Sequence, residues 1–379
     1  MSTSPARDWL SKSVEFPYRR NSLNLFRLIL AFLVLFAHGY YIVGRDDSPG
    51  FNGENLGGWA VIGFFVISGF LITRSRFRTS AGVYLVHRVA RIMPAFIVCL
   101  LVTTLVFGPL ALWATKGSLA GYLTTAPTPL QYVWSNLFLH IDTYRIGDTL
   151  VTAPYPNAWN GSLWTLYFEF LCYLMVWVLG GLAVYRRSIT LVAAIFAASV
   201  LIRGLVLLGI NGGTDVDFDL LTRLLPYFLG GSLVYMVIDR WGLIRGPGLL
   251  SIPAAALLMV FVPGIGGPLA APLIGYALLT LSTFVPQPKW VATNDVSYGF
   301  YIYAWPVQQL AVVFGAASLG IAGYTAVATA VTLILAVASW LLVERHAMRL
   351  ARTATSGAKK PGTAADRSAP SAIAGSTTS

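Results

Sequence analysis

Residues 23–43 read LNLFRLILAFLVLFAHGYYIV, an apolar run that contains two ionisable side chains, Arg27 and His38. A transmembrane helix needs about 20 consecutive, mostly apolar residues, and this run has that length. The same criterion finds about ten candidate spans, with approximate bounds 23–43, 57–74, 92–111, 161–184, 188–210, 222–238, 246–263, 267–285, 296–317 and 320–343. The sequence therefore predicts an all-α membrane protein with about ten transmembrane helices.

The amino-acid composition supports this class of fold. Of the 379 residues, 56% are hydrophobic and only 11% are charged, whereas soluble domains carry about 25% charged residues. The formal net charge of +11 would suit nucleic acid. However, the Lys and Arg residues lie in short segments between apolar runs, as they do beside anionic lipid headgroups. We therefore expect a lipid bilayer as the surroundings and no nucleic-acid partner.

The distribution of positive charge predicts the orientation in the membrane. With a cytoplasmic N-terminus, the inner segments contain most of the basic residues, including the cluster Arg74, Arg76, Arg78, Arg88 and Arg91. The outer loops then contain only Arg45, Lys116 and Arg145. Cytoplasmic loops of membrane proteins are enriched in Lys and Arg. Because the number of spans is also even, both termini are predicted to be cytoplasmic.

The chain divides into three regions. Residues 1–20 form a polar cytoplasmic lead-in, and residues 21–350 form the transmembrane domain, which includes a long, aromatic-rich outer loop at 112–160. Residues 351–379 are rich in Ala, Ser, Thr, Gly and Pro, which predicts a disordered cytoplasmic tail. Both cysteines lie in apolar runs, so neither a disulfide nor a metal site is predicted.

The first span places a cation and an imidazole on one helical face. Ionisable groups inside a bilayer are costly and usually functional. Arg27 and His38 are separated by almost three helical turns, so they project in the same direction, about 16 Å apart along the axis. The alternative is that Arg27 reaches the headgroups and His38 bonds a neighbouring carbonyl.

Glu169 is the acidic residue that lies inside a predicted span. It enters from the outer side at a depth comparable to that of His38. A carboxylate beside an imidazole fixes its tautomer and strengthens it as a base. The alternative is a structural ion pair with Arg203 or Arg223, the two basic residues of the outer half, which otherwise suit an anionic sugar.

Arg88 and Arg91 stand at the inner mouth of the third span. Their spacing of three residues puts both guanidinium groups on one helical face, where they suit phosphate groups. The alternative is the ordinary positive charge of a cytoplasmic loop.

Five motifs, in order along the chain, resemble those of acyltransferase family 3. They are Arg27-x10-His38, Phe64-Phe65-x-x-Ser68-Gly69-Phe70, Arg88-x-x-Arg91-x-x-Pro94, Ser162-Leu163-Trp164-Thr165-Leu166-x-x-Glu169, and the run from Ser297 to Pro306. Together they cover nearly the whole membrane region. Many members have a His where this chain has Ala304, so catalysis is expected to rest on His38.

The resemblance implies an O-acyltransferase of the bacterial inner (cytoplasmic) membrane. Members take an acyl group, often acetyl, from cytoplasmic acyl-CoA and place it on sugar hydroxyls of polysaccharides or glycoconjugates. Acyl-CoA is then a co-substrate, and no permanently bound cofactor and no metal are expected. Some members add a soluble domain after the membrane part. The short tail here predicts that the membrane domain itself performs the final transfer.

The predicted mechanism assigns a role to each of these side chains. Three arginines, Arg27, Arg88 and Arg91, hold the phosphates of acyl-CoA. His38, oriented by Glu169, is the general base for the acceptor hydroxyl, and Ser68 or Tyr298 donates to the developing oxyanion. Close helix packing is the alternative role of the Ser68-Gly69 step. A two-step route through an acylated side chain is the alternative to direct transfer. The acceptor is expected to contact Arg203, Arg223, Trp159 and Trp164.

Three other functions compete with this interpretation. Ten spans with buried charges would also suit a transporter or flippase of a sugar or glycolipid, although no inverted repeat is evident. A membrane sensor or anchor would not need the combination of His, Glu and Arg. N-acylation of an amino sugar differs only in the acceptor group.

Overall fold

The computed structural model describes residues 10–210 and 215–357. Within them the chain forms fifteen α-helices in the order α1 Leu23–Ile42, α2 Leu56–Arg78, α3 Ala81–Val102, α4 Gly108–Lys116, α5 Pro129–Asn136, α6 Trp164–Leu179, α7 Ala183–Arg187, α8 Ile189–Leu207, α9 Val216–Trp241, α10 Arg245–Phe261, α11 Gly266–Ser282, α12 Lys289–Thr293, α13 Ser297–Val313, α14 Gly320–Ser339 and α15 Arg345–Thr355. The mostly helical architecture confirms the predicted fold class.

Short elements join or flank these helices. A π-helical turn, Thr103–Phe107, links α3 to α4, a 3-10 turn, Ala316–Leu319, precedes α14, and a second π-helical turn, Trp340–Glu344, links α14 to α15. Two antiparallel pairs of two-residue strands complete the described part. They are β1 Ser13–Val14 with β4 Leu243–Ile244, and β2 Gly50–Phe51 with β3 Glu54–Asn55.

A helix lies at each of the ten predicted spans. Six continuous helical segments have the length and composition to cross a membrane, namely Leu23–Ile42, Leu56–Arg78, Ala81–Lys116, Ile189–Leu207, Val216–Trp241 and Ala316–Thr355. Three others, α6, α10 and α11, are apolar but shorter. The number of about ten crossings and the cytoplasmic placement of both termini stay predictions.

Several helices extend beyond the apolar windows that predicted them. The third predicted span begins at residue 92, whereas α3 begins at Ala81. Backbone hydrogen bonds continue through residues 81–91, which the apolar window left out because they include His87, Arg88 and Arg91. At the other end of the chain, α15 continues to Thr355, inside the predicted tail. Residues 1–9 of the predicted lead-in and 358–379 of the tail lie outside the described residues.

The centre of the bundle is built on α2, which packs against α1, α9 and α11. Its contact with α9 is a backbone contact. A Cβ added at Gly69 would lie 1.9 Å from the carbonyl oxygen of Phe228, and one at Gly231 would lie 2.0 Å from that of Val66. Small residues permit such close approach between helices in a membrane. This contact fixes the position of α2, which forms one wall of two cavities in the bundle.

Candidate functional site

Three cavities follow one another through the bundle, and they are named here by the predicted orientation. The inner cavity, about 330 Å³, is bounded by α3, α15 and the loop before α13, and its wall includes Asn24, His87, Arg88, Arg91, Asp295 and Arg352. The middle cavity, about 30 Å³, is lined by Arg27, Glu169, Tyr298 and Tyr301 among others. The outer cavity, about 130 Å³, is lined by His38, Ser162, Trp164, Arg223 and Tyr301 among others.

Shared side chains connect the middle and the outer cavity, and a side-chain contact links the inner cavity to the middle one. Val61, Thr165 and Tyr301 line both the middle and the outer cavity. Between the inner and the middle cavity, the guanidinium of Arg91 stacks on the ring of Tyr298 with 5.5 Å from carbon to centroid. Polar side chains therefore run from the predicted cytoplasmic end of the bundle to the predicted outer end.

Two of the three predicted phosphate-binding arginines are held by carboxylates. Arg27 and Arg91 both form ion pairs with Asp295, the latter at 2.7 Å, and Arg91 also pairs with Glu344 at 2.8 Å. Hydroxyls complete the network, because Ser297 donates to Asp295 at 2.6 Å and Ser339 donates to Glu344 at 3.0 Å. These arginines are therefore fixed before any ligand binds.

Asp295 lies in the loop before α13 and is nearly enclosed. Its burial alone would raise its pKa, but Arg27 and Arg91 outweigh that effect and lower the pKa to about 2. The carboxylate is therefore charged at neutral pH. It occupies the position beside two guanidinium groups in which a phosphate would also be stable.

Arg88, unlike Arg27 and Arg91, has no carboxylate partner among the described residues. It lines the inner cavity, its Nε is buried, and it forms no hydrogen bond or ion pair within the described part of the chain. Its nearest aromatic partner is Tyr84, whose ring centre lies 6.0 Å from the guanidinium carbon. Arg88 is thus the predicted arginine whose charge is not compensated by a carboxylate.

Glu169 and His38 do not contact each other in this structure. Glu169 Oε1 accepts hydrogen bonds from Ser68 at 2.7 Å and Tyr173 at 2.6 Å. The alternative ion pairs are not formed either, since Arg203 and Arg223 have other partners. Between Glu169 and His38 lie Thr165 and Tyr301, whose hydroxyls are 2.5 Å apart.

His38 is positioned by an aromatic ring. Its imidazole meets the edge of Trp305 at 4.8 Å between centroids, and its buried Nδ1 has no hydrogen-bond partner among the described residues. The Trp305 indole N–H donates to the Ala158 carbonyl at 2.8 Å. A Cβ at Gly161 would lie 2.4 Å from the Trp305 ring, so this turn needs glycine. The free nitrogen is the feature that a general base requires.

The predicted oxyanion donors are engaged with protein acceptors. Ser68 donates to Glu169, and the Tyr298 hydroxyl donates to the Ile92 carbonyl at 2.9 Å. Ser162, in contrast, lines the outer cavity together with His38, and its buried Oγ has no partner within the described residues. No role was predicted for this hydroxyl, although Ser162 opens the motif that ends at Glu169.

The four predicted acceptor-binding residues are separated. Arg223 lines the outer cavity and pairs with Glu54, and Trp164 lines the same cavity. Arg203 lies apart from it and pairs with Asp219 at 2.7 Å. Trp159 is fully buried, and its indole donates to Thr149 at 2.8 Å. Two of the four therefore reach the cavity that contains His38.

A metal site would need several ligands close together. Within residues 10–210 and 215–357, no three His, Cys, Asp or Glu side chains are grouped so that they could hold an ion.

The matched region of a known family covers all the residues that were predicted to form the site. A family model described as an acyltransferase domain matches residues 20–342. The chain belongs to acyltransferase family 3. Glu344 and Arg352 lie just beyond the matched region, on the segment that closes the inner cavity.

Two relatives are similar over almost their full length. An "O-acetyl transferase" of Shigella phage Sf6 is 29% identical, over 87% of this chain and 96% of its own length. "Nodulation protein 10" of Rhizobium leguminosarum bv. viciae is 27% identical, over 87% of this chain and 94% of its own length. No solved structure matches the chain. Family membership and the apolar helices make the protein a multi-pass membrane acyltransferase.

Proposed function

We propose that this acyltransferase moves an acyl group, in the first instance acetyl, from cytoplasmic acyl-CoA to a hydroxyl of a cell-surface or exported polysaccharide or glycoconjugate. The bacterial inner membrane is the proposed location. The observation that carries the proposal is the series of three cavities, with arginines at one end and an unpaired imidazole at the other. The similarity to a protein named O-acetyl transferase supports the choice of reaction.

The inner cavity suits the phosphates of the donor. Arg88 supplies a guanidinium group without a carboxylate partner, and Arg91 and Arg27 lie behind it on Asp295. A phosphate that enters forms charge-assisted hydrogen bonds with Arg88 first. The slender pantetheine arm of the donor then extends through the middle cavity and brings its thioester towards His38.

The outer cavity suits the transfer itself. The His38 imidazole removes the proton of the acceptor hydroxyl, and the hydroxyl oxygen attacks the thioester carbonyl. The carbon–sulfur bond then breaks, and the departing thiolate takes the proton from His38, so that an ester and free CoA result. Ser162 is the hydroxyl best placed to stabilise the oxyanion, because its Oγ is not engaged. Glu169 is assigned to the middle cavity, where it holds Ser68.

The test is release of free CoA from acetyl-CoA by the purified protein in detergent, with cell-envelope glycans as acceptors. We expect His38→Ala to abolish release and to leave acetyl-CoA binding intact. Arg88→Ala should weaken acetyl-CoA binding about tenfold to a hundredfold, since a hydrogen bond to a charged group contributes about 1.5–3 kcal/mol.

Arg78→Ala is the matched control. It removes an exposed arginine that pairs with Asp239 at 3.4 Å and does not line the inner cavity. If Arg88→Ala and Arg78→Ala bind acetyl-CoA equally, the donor site is wrong. If the native protein neither binds nor consumes acyl-CoA of any chain length, the enzyme assignment fails, and transport of glycolipids is the function to measure. Amino-sugar acceptors distinguish N-acylation from O-acylation.

A further inference from the structure

A fourth cavity lies beside the outer cavity. This groove, about 420 Å³, is bounded by the segment after α5, the first turns of α6 and the start of α9. Its lining includes five side chains with a polar group, which are His140, Tyr144, Trp164, Tyr167 and Asp217. The volume falls within the range of about 300–1,000 Å³ that small-molecule sites occupy.

Trp164 connects this groove to the site of transfer. The same indole lines the outer cavity, where His38 and Ser162 lie, and the neighbouring groove. It forms no hydrogen bond within the described part of the chain, so its N–H is free to donate to a ligand. A molecule with two linked units can therefore place one unit beside His38 and the next in the groove.

The walls of the groove combine flat rings with fixed polar groups. His140 is held between two carboxylates, with Nδ1 2.7 Å from Asp142 and Nε2 3.0 Å from Asp217. Its ring meets the edge of Tyr167 at 4.9 Å. Tyrosine and tryptophan offer large apolar faces together with a polar edge. A sugar ring has the complementary form, with apolar C–H faces and hydroxyls at its rim.

The charged side chains of the groove limit which ligands it can bind. Asp217 has one carboxylate oxygen on His140 and a second that accepts no bond from the described residues. Carboxylates accept hydrogen bonds from sugar hydroxyls. No Lys or Arg side chain is among the described residues that line the groove. These charges disfavour both the carboxylate of an acidic sugar and a lipid acyl chain, which would leave the ionised groups unsolvated.

We propose that the groove is a second saccharide subsite, which holds a neutral sugar unit adjacent to the unit that is acylated beside His38. The inference rests on the proposed function, since it assumes a glycan acceptor. It adds that the acceptor is recognised over at least two units, with Tyr144 and Tyr167 against the ring and Asp217 on its hydroxyls. An isolated monosaccharide is accordingly a poor acceptor.

The experiment measures trisaccharide binding to the full protein in a detergent without a sugar headgroup. The probes are maltotriose, cellotriose, triacetylchitotriose and, as the acidic counterpart, trigalacturonic acid. We expect at least one neutral trisaccharide to bind and the acidic one to bind at least tenfold more weakly. Tyr144→Ala and Asp217→Asn should each weaken that binding about tenfold, which corresponds to about 1.4 kcal/mol.

Two controls make the measurement specific. Trp113→Ala removes an exposed aromatic residue of α4 that does not line the groove, and binding should be unchanged. Tyr144→Ala keeps the backbone carbonyl that accepts from the Trp159 amide at 2.7 Å, so the outer segment retains that contact. Phe at the same position, Tyr144→Phe, preserves the ring and should restore most of the affinity.

The outcomes separate this subsite from the proposed function. If acetyl-CoA binds but no neutral trisaccharide does, or if both groove variants bind like the native protein, the subsite is wrong and the donor assignment stands. If a neutral trisaccharide binds through Tyr144 and Asp217 while acetyl-CoA does not bind, the subsite stands and the acyltransferase mechanism fails.

Discussion

Replacing Asp295 with Asn tests whether the ion-pair network beneath the inner cavity stabilises the fold. The side chain of Asp295 is 15% exposed and contacts both Arg27 and Arg91. Its pKa is lowered from 3.8 to about 2 in the folded protein. At 1.36 kcal/mol for each pKa unit, a difference of nearly two units corresponds to about 2–3 kcal/mol of folding free energy.

The sign of this contribution follows from the direction of the shift. Because the folded-state pKa is depressed, the stabilisation is present above the ordinary pKa and is lost as the pH falls through the folded value. At neutral pH it is complete, so Asp295→Asn should lose about 2–3 kcal/mol. The same variant should flatten the acid limb of the stability curve between about pH 4 and pH 2.

The assay is reversible unfolding of the purified protein in mixed micelles by a denaturing detergent, with neutral pH first. Asp239→Asn is the control, since its partner Arg78 lies 3.4 Å away and both side chains are exposed. Exposed ion pairs contribute about 0–1 kcal/mol. The reasoning is refuted if Asp295→Asn is as stable as Asp239→Asn, or more stable. Desolvation of the carboxylate would then outweigh its attraction to the two arginines.

Three further predictions concern other parts of the molecule. Gly69→Ala should destabilise the fold by about 1–3 kcal/mol because the new Cβ meets a backbone carbonyl. Gly82→Ala, which meets no neighbour, should be as stable as the native protein or slightly more stable in the same titration, since Ala favours a helix over Gly. Trp305→Phe should lower kcat about tenfold to a hundredfold by releasing the His38 ring; an unchanged kcat, or a rise in the KM for acetyl-CoA instead, contradicts this positioning role. Burial alone would lower the pKa of His140, but its hydrogen bonds to Asp217 and Asp142 raise that pKa above 6.5. The stabilisation from protonated His140 between Asp142 and Asp217 is therefore complete below pH 6.5. It is lost as the pH rises through the raised pKa. The melting temperature of the native protein should accordingly fall further between about pH 6 and pH 9 than that of His140→Gln. Parallel plots of melting temperature against pH would refute this role of His140.

Hydropathy located the helices because each apolar run must satisfy its backbone hydrogen bonds internally in lipid. Helical phase also predicted that Arg27 and His38 share a face, and both side chains line the series of cavities. The carboxylates that hold the arginines were missed. Asp295 directly precedes one predicted span and Glu344 directly follows another, so neither fell within an apolar window.

The partner of Glu169 depends on packing that the sequence does not encode locally. Its depth in the bundle was consistent with a contact to His38, but in the packed bundle Glu169 accepts a hydrogen bond from Ser68 of α2 instead. Trp159 illustrates the same limit. An aromatic residue in an outer loop suits either ligand binding or packing, and only the tertiary structure shows that its indole is buried against Thr149. Periodicity predicts faces of helices, whereas partners depend on how the helices meet.

The backbone contact between α2 and α9 also limits how the molecule moves. With no side chain between them at Gly69 and Gly231, a slide of α2 by one residue would bring Ser68 or Phe70 towards the carbonyl oxygen of Phe228. Packed interfaces of this kind change in discrete steps rather than by gradual deformation. We therefore expect α2 and α9 to move together as one rigid unit. Any opening for the proposed donor, acyl-CoA, would then involve other helices, such as α15, beside which the ion pair between Glu344 and Arg91 would have to break.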